Sequence, residues 1–321
     1  MTKIKLWQYL ALGIILLLVP IVVASNYVMH IAITIAIYGI LVLGLELVLG
    51  QTGLFSLGHA AFYGMGAYTS ALLVTLLGLP IWLGAIGAVI ASGLLGVFLG
   101  FPTLRLRGDY LAIATLGFGE IFRLIMVNWD SLTKGPMGLP GIPRPQLLGE
   151  TFDRTMYYYL IVGAFFLCLA LCYRISGSFL GRAFRAIRDD EDAAEFLGIN
   201  IAKYKILAFA IGGMIAGLAG SFYAHYITFI SPDTFVYQDS ATLLAMVFLG
   251  GAGTVIGPVV GAVVLVILPE LLRFLVEWRM MVVGILMVVM MIYRPQGIMG
   301  GGKLRLPWKG RKELAGLEKK E

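Results

Sequence analysis

RAFRAIRDDEDAAEFLGIN, residues 182–200, is the stretch on which the reading of this chain turns. It is densely charged, it reads as one helix, and its Asp-Ala-Ala at 192–194 is followed four residues later by Gly198. Apolar segments flank it at 156–173 and 206–227. Each is near the ~20 residues a helix needs to cross ~30 Å of hydrocarbon. A polar helix held between two such segments does not lie in lipid. It projects into water, as a handle by which a soluble partner can move a lipid-embedded bundle.

The composition agrees. Of 321 residues, 60% are hydrophobic and 13% are Asp, Glu, Lys or Arg, against about 45–50% and about 25% in soluble domains. The 41 glycines fall largely in apolar runs, as in packed membrane helices. This is an integral membrane protein. Its net charge of +6 sits in loops and tails with no aromatic interleaving, which argues against nucleic acid. Cys168 and Cys172 lie four apart in one apolar segment, without metal-ligating company, and read as packed side chains. No metal site is predicted.

Apolar segments occur at 6–24, 29–49, 60–78, 81–100, 111–127, 156–173, 206–227, 241–252, 255–270 and 279–293. The first follows Lys3 and Lys5. It is longer than the 7–15 residues or so of a signal peptide core and reads as a retained helix. With the N-terminus inside, alternation places 18 of the 24 Lys and Arg residues on the cytoplasmic side, as the positive-inside rule requires. The fold class is all-α, a polytopic membrane helix bundle of about eight to ten transmembrane helices. Residues 1–300 form the membrane domain, with a cytoplasmic loop at 174–205 and a Pro- and Gly-rich periplasmic loop at 128–155. Residues 301–321 form a basic cytoplasmic tail, so both termini are cytoplasmic. Two short spans at 241–270, or one re-entrant hairpin there, satisfy the alternation equally.

Glycines punctuate two segments: Gly50, Gly53 and Gly58 in GQTGLFSLGH (50–59), and Gly250, Gly251, Gly253 and Gly257 in GGAGTVIGP (250–258). Transporters place solute contacts where helices break and free their backbone groups. Small residues at four-residue spacing form two ridges, Gly84-Ala88-Ser92-Gly96-Gly100 and Gly212-Ala216-Gly220-Ala224, the second flanked by Gly213 and Gly217. Such ridges let membrane helices approach closely. Glu46 is expected to snorkel to the cytoplasmic interface. Glu120 and Arg123, three apart, are expected to pair, and His30 and His225 to sit at the outer interface.

GQTGLFSLGHAAFYGMGAYTSALL (50–73) and RAFRAIRDDEDAAEFLGINIAKYKILAFAIGG (182–213) resemble the permease subunits of branched-chain amino acid ABC transporters, the LivM-like branch. GLAGSFYAHYITFISP (217–232), GGAGTVIGPVVGA (250–262) and YRPQGIMG (293–300) are similar to the same family. The likeness runs from about residue 30 to 300.

That resemblance implies an importer subunit in the bacterial inner membrane, pairing with a sibling permease (as a heterodimer), two cytoplasmic ATP-binding subunits and a periplasmic substrate-binding protein. It implies branched-chain, hydrophobic amino acids as cargo, with alternating access driven through 182–200. A urea or short-chain amide importer shares the architecture and is the alternative. Asp192, Ala193, Ala194 and Gly198 match the family's E-A-A-x-x-x-G coupling signature, with Asp for Glu. Ala193 and Ala194 leave a smooth surface for a partner's groove, and Gly198 suits a left-handed helix cap. Arg185, Asp189, Asp190 and Asp192 complete the expected partner-facing set. Read as the later half of one helix, the acidic cluster finds no helix N-terminus and is assigned to contact with a partner. For a zwitterionic amino acid, Gln51, Thr52, Ser56 and His59, followed by Tyr63 and Tyr68, are the candidate path residues.

No G-x-x-x-x-G-K-[ST] loop occurs, so ATP and Mg are expected on the partners and no cofactor on this chain. A passive channel would need no coupling element. A membrane enzyme would need a nucleophile–base set that the spacing does not provide. The chain is therefore read as a transport subunit rather than an enzyme.

Overall fold

The structure, a computed structural model, describes residues 25–104, 106–147, 150–272, 278–294 and 296–300. The predicted first span at 6–24 and the tail at 301–321 lie outside the described residues. The chain forms α1 (Asn26–Leu45), which runs on through a π-helical turn at Glu46–Gln51, then α2 (His59–Leu77), α3 (Ile81–Thr103) and α4 (Asp109–Asn128). After an irregular stretch come α5 (Arg154–Gly177), the polar pair α6 (Phe179–Asp189) and α7 (Glu191–Phe196), and the long α8 (Ile201–Ile227). Three shorter helices follow: α9 (Tyr237–Gly250), α10 (Gly257–Leu271) and α11 (Arg279–Tyr293). Six of these, α1 with its π turn, α2, α3, α4, α5 and α8, are long and apolar enough to cross a membrane.

The helices sort by burial. α1 and α8 form the centre, with Ile33, Ile37, Ile40, Leu41, Val42, Leu43, Phe209 and Ala216 buried. α3 turns Leu83, Ile86, Ile90, Leu94, Phe98 and Phe101 outward, a stripe at helical spacing suited to apolar surroundings.

The ridge on α3 packs against α8, at Phe209, Ala210 and the flanking Gly213 and Gly217 rather than at the Gly212–Ala224 ridge itself. A Cβ added at Gly96 would overlap the Phe209 carbonyl oxygen, and one at Gly213 would stand 2.7 Å from the Ser92 carbonyl oxygen. On its other faces α8 meets Gly44 and Val48 of α1 through Gly212, and Tyr63 and Ala67 of α2 through Gly220. Lipid gives no hydrophobic reward for helix association, so this backbone-to-backbone approach supplies the dispersion contact that replaces it.

The alternation read from charge has its geometric counterpart. Residues 52–54, 106–108, 187–191 and Lys205 surround one cavity of about 220 Å³. His30, Arg144, Arg154, Tyr157 and His225–Ile227 surround another of about 200 Å³ at the opposite ends of the same helices. The turn between α9 and α10 reaches the first of these ends, where Gly253 touches Gln51 and Glu46. α9 and α10 have 14 and 15 residues, about 21–23 Å of helix, well short of ~30 Å of hydrocarbon.

At the far end, Leu139–Pro140 pairs antiparallel with Phe229–Ile230, tying the connection between α4 and α5 to the end of α8. His225 is buried rather than interfacial. Its Nδ1 meets the Pro143 carbonyl oxygen at 2.7 Å and its Nε2 the Ser70 hydroxyl at 2.9 Å. The expected Glu120–Arg123 pair forms at 2.6 Å, and Arg123 also reaches Asp233 at 3.2 Å.

Candidate functional site at the polar end of the bundle

Residues 182–200 are not one helix. α6 ends at Asp190, whose backbone is extended at φ −159°, ψ 113° and whose carboxylate accepts from the Ala193 N–H at 3.0 Å. Asp190 is thus an N-cap, and Glu191 and Asp192 sit in the first turn of α7, where the helix end favours negative charge. The expectation that the acidic cluster lies late in a helix fails because the break at Asp190 starts a new one. α7 closes as expected: Gly198 adopts φ +84°. Its N–H bonds Glu195 O at 2.9 Å, while Ile199 N–H bonds Ala194 O at 3.0 Å, the paired bonds of a Schellman cap.

The acidic residues assigned to a partner are largely consumed within the chain. Asp192 takes a forked bond from Arg107 at 2.8 and 3.3 Å. Glu191 lies between Arg107 Nε, at 3.3 Å, and the buried ammonium of Lys205. The hydrogen bond and charge of Arg107 hold the Asp192 carboxyl below its ordinary range, and Asp192 in turn raises Arg107. Such a depressed carboxylate keeps its contribution above its ordinary pKa, about 3.9, and loses it as pH falls through the lower folded value.

Both partners of the Arg107–Asp192 contact are more than half exposed, so salt weakens the contact. Asp192→Asn is expected to lower stability only slightly, because an exposed ion pair contributes little. Thermal melting of the purified protein in low and high salt checks this: the difference between wild type and variant should shrink as salt rises.

With Ala194 buried, the smooth two-alanine face is not what α7 presents. Its outward surface is Ala193, Glu195, Phe196 and Leu197, with Phe196 92% and Leu197 81% exposed. Sequence reasoning passed over these two. The signal was available, a Phe-Leu pair inside an otherwise polar element, with no core position nearby to receive it.

The inner side of α6 faces both helix breaks. Arg185 Nη1 donates to Gln51 Oε1 at 3.1 Å and to the Ser176 carbonyl oxygen at 2.8 Å. Arg188 Nη1 donates to the Gly50 carbonyl oxygen. Gln51 Nε2 donates to Glu46 Oε1 at 3.1 Å and to Gly253 O at 3.3 Å. The Gly253 N–H donates back to Glu46 Oε1 at 2.9 Å. Gly253 has φ +90°, a conformation open to glycine, and a Cβ there would press on Arg188 Nη1 at 2.5 Å.

The snorkelling expected of Glu46 is therefore wrong. It lies in the π turn at 1% exposure, pointing into the protein. The extra residue of a π turn swings the side chain inward, and such turns are frequent at functional sites. Periodicity computed for a regular helix could not foresee it.

Every predicted break is present. Gly50 sits in the π turn, Gly53 is left-handed, and Gly58 precedes α2. Gly250 ends α9, Gly251 and Gly253 have positive φ, and Gly257 starts α10. The chain after α11 returns to this end, with Ile298 N–H on Leu249 O at 2.8 Å and Met299 N–H on Gly250 O at 2.9 Å.

Of the predicted path residues, Gln51 belongs to the junction and Thr52 lines the cavity beside α6. Ser56, His59, Tyr63 and Tyr68 are buried. His59 stands edge-on to Phe62, and Tyr63 and Tyr68 pack around Phe235. Among the described residues no cluster of His, Cys, Asp or Glu is placed to hold a metal ion.

Interrupted apolar helices whose two breaks meet under a polar, water-facing helix pair define a membrane transport subunit, a permease. The chain belongs to the family described as branched-chain amino acid transport system, permease component, whose profile matches residues 27–291. It is 41% identical over 314 residues to the high-affinity branched-chain amino acid transport system permease protein LivM of Salmonella typhimurium, covering 90% of this chain and 74% of the relative. Against LivM of Escherichia coli the identity is 41% over 299 residues, 86% of this chain and 70% of the relative. LivH of Escherichia coli is 27% identical over 281 residues, covering 82% of this chain and 91% of the relative. No solved structure matches the chain.

Proposed function

We propose that this chain is one membrane half of an ATP-driven importer for branched-chain amino acids. A sibling permease forms the other half, two cytoplasmic ATPases supply the motor, and a soluble binding protein delivers cargo on the opposite face. ATP and Mg bind on the ATPases. The polar end of the bundle is cytoplasmic, in a bacterial inner membrane. The observation that carries this reading is α7, which offers two large apolar side chains to water while the adjoining α6 grips both helix breaks. An exposed apolar pair on a charged element fits a partner's groove, and the grip gives that partner purchase on the spans.

The route for cargo follows Ser56, in the break before α2, and the buried face of α2 carrying His59, Tyr63 and Tyr68. The Tyr68 hydroxyl is buried without a hydrogen-bond partner among the described residues. That costs about 1–3 kcal/mol, which a solute or water passing in an opened state would offset.

Proteoliposomes holding the whole complex test the proposal. Leucine uptake should require ATP and binding protein, and excess unlabelled isoleucine should suppress it. Uptake of urea in place of leucine would redirect the substrate. Leucine flux at full rate without the ATPases would overturn the proposal.

A further inference from the structure

The proposal above leaves open how a push on α6 reaches both breaks at once. We infer that Glu46 is a positioning residue for transport: it is the joint through which movement of α6 reaches the second break, at Gly253, as well as the first.

Three observations support this. Glu46 Oε1 accepts two bonds, one from Gln51 Nε2 at 3.1 Å and one from the Gly253 N–H at 2.9 Å. It therefore holds a residue five positions on and a backbone group 207 positions on. Next, the donors that bind Gln51 and Gly50 come from α6, as Arg185 Nη1 at 3.1 Å and Arg188 Nη1. The path from α6 to Gly253 thus runs through side chains. Finally, the stem of Arg188 lies against Gly53 while its guanidinium binds Gly50 O and lies against Gly253, so both breaks close on one side chain.

A carboxylate is costly to bury, and mere filling of a gap between apolar helices would be served better by Leu or Met. Its use here follows from its bonding capacity. A carboxylate oxygen takes both donors together. Oε2, unpaired among the described residues, lies on the π turn against Gly50, within the same joint. Removing the acceptor takes away the Gly253 N–H bond and the bond that fixes Gln51, so that only Gln51 Nε2 on Gly253 O at 3.3 Å and the packing of Arg188 still link α6 to the second break. The motor would then turn over while only part of the bundle follows.

The inference rests on the importer reading, and the experiment separates the two. The complete complex carrying Glu46→Ala, Glu46→Gln or Arg188→Ala is placed in proteoliposomes, and leucine taken up per ATP hydrolysed is measured beside wild type. Wild type without ATP-dependent uptake sinks the importer reading. Given a functional wild type, Glu46→Ala should lower the leucine-to-ATP ratio at least fivefold with ATPase turnover retained. Glu46→Gln should recover most of the ratio, because its amide oxygen still accepts from Gly253. Arg188→Ala should lower the ratio too, and adding it to Glu46→Ala should make matters no worse, as expected for one shared joint.

If Glu46→Ala fails to accumulate, Glu46→Gln combined with Arg188→Ala carries the test, with a ratio below that of Glu46→Gln expected. An unchanged ratio in Glu46→Ala and Arg188→Ala, or uptake and ATPase falling in equal proportion, overturns the inference. The second pattern is what a purely structural role gives.

Discussion

Phe196→Asp is expected to abolish most ATPase binding while leaving the permease folded. At 92% exposure Phe196 has almost no packing to lose within its own chain. An aromatic anchor buried at the centre of an interface is worth about 2–4 kcal/mol, so the association constant should fall by roughly 30- to 1,000-fold. A charge taken into the same pocket adds a desolvation cost. Co-purification in mild detergent, with ATP-driven uptake in proteoliposomes, measures both consequences. Leu197→Asp should behave likewise at smaller amplitude. Wild-type association and uptake in both variants would show that α7 docks by another surface. Ala194→Arg is a poorer probe despite its place in the signature, because Ala194 is buried and the substitution would deform α7 itself.

Gly96→Leu is expected to prevent accumulation of the folded protein. Its Cβ would collide with the Phe209 carbonyl oxygen and the Ala210 backbone, and backbone atoms at the centre of a bundle cannot step aside as a flexible side chain does. Overpacking typically costs about 1–3 kcal/mol. Here α3 and α8 would have to separate along their length, which also exposes the Ser92 contact with Phe62 O at 3.0 Å. Size-exclusion profiles and membrane abundance report the outcome. Gly117→Leu is the control, because that site has open space around it. Equal abundance of the two variants would refute the close-packed interface.

How much of this was legible in the sequence depends on the scale of each interaction. The spans, both glycine breaks and both small-residue ridges follow from composition and spacing, because lipid imposes hydrophobicity and length directly. That the α3 ridge would meet Gly213 and Gly217, while Gly212 and Gly220 turn to α1 and α2, was not legible, since spacing marks a face without naming its partner. Glu46 was misread because a π turn shifts the side-chain register after Leu45, and no short motif announces such a turn. Asp190 was misread for a related reason. Four consecutive acids look alike until one of them leaves helical geometry and becomes a cap. Gly198 was read correctly because a left-handed cap has a strong residue preference.

α8 is a 27-residue helix, a strut of about 40 Å. Near one end Lys205 holds Glu191 beneath the exposed Phe-Leu knob, and near the other His225 and the short strand hold the outer loop. A stiff rod fastened to both rims cannot tilt at one without moving the other. Under the importer proposal, the binding protein and the ATPases would meet opposite ends of this one beam, and any binding coupling carried by it would be reciprocal, each changing the other's affinity by an equal factor.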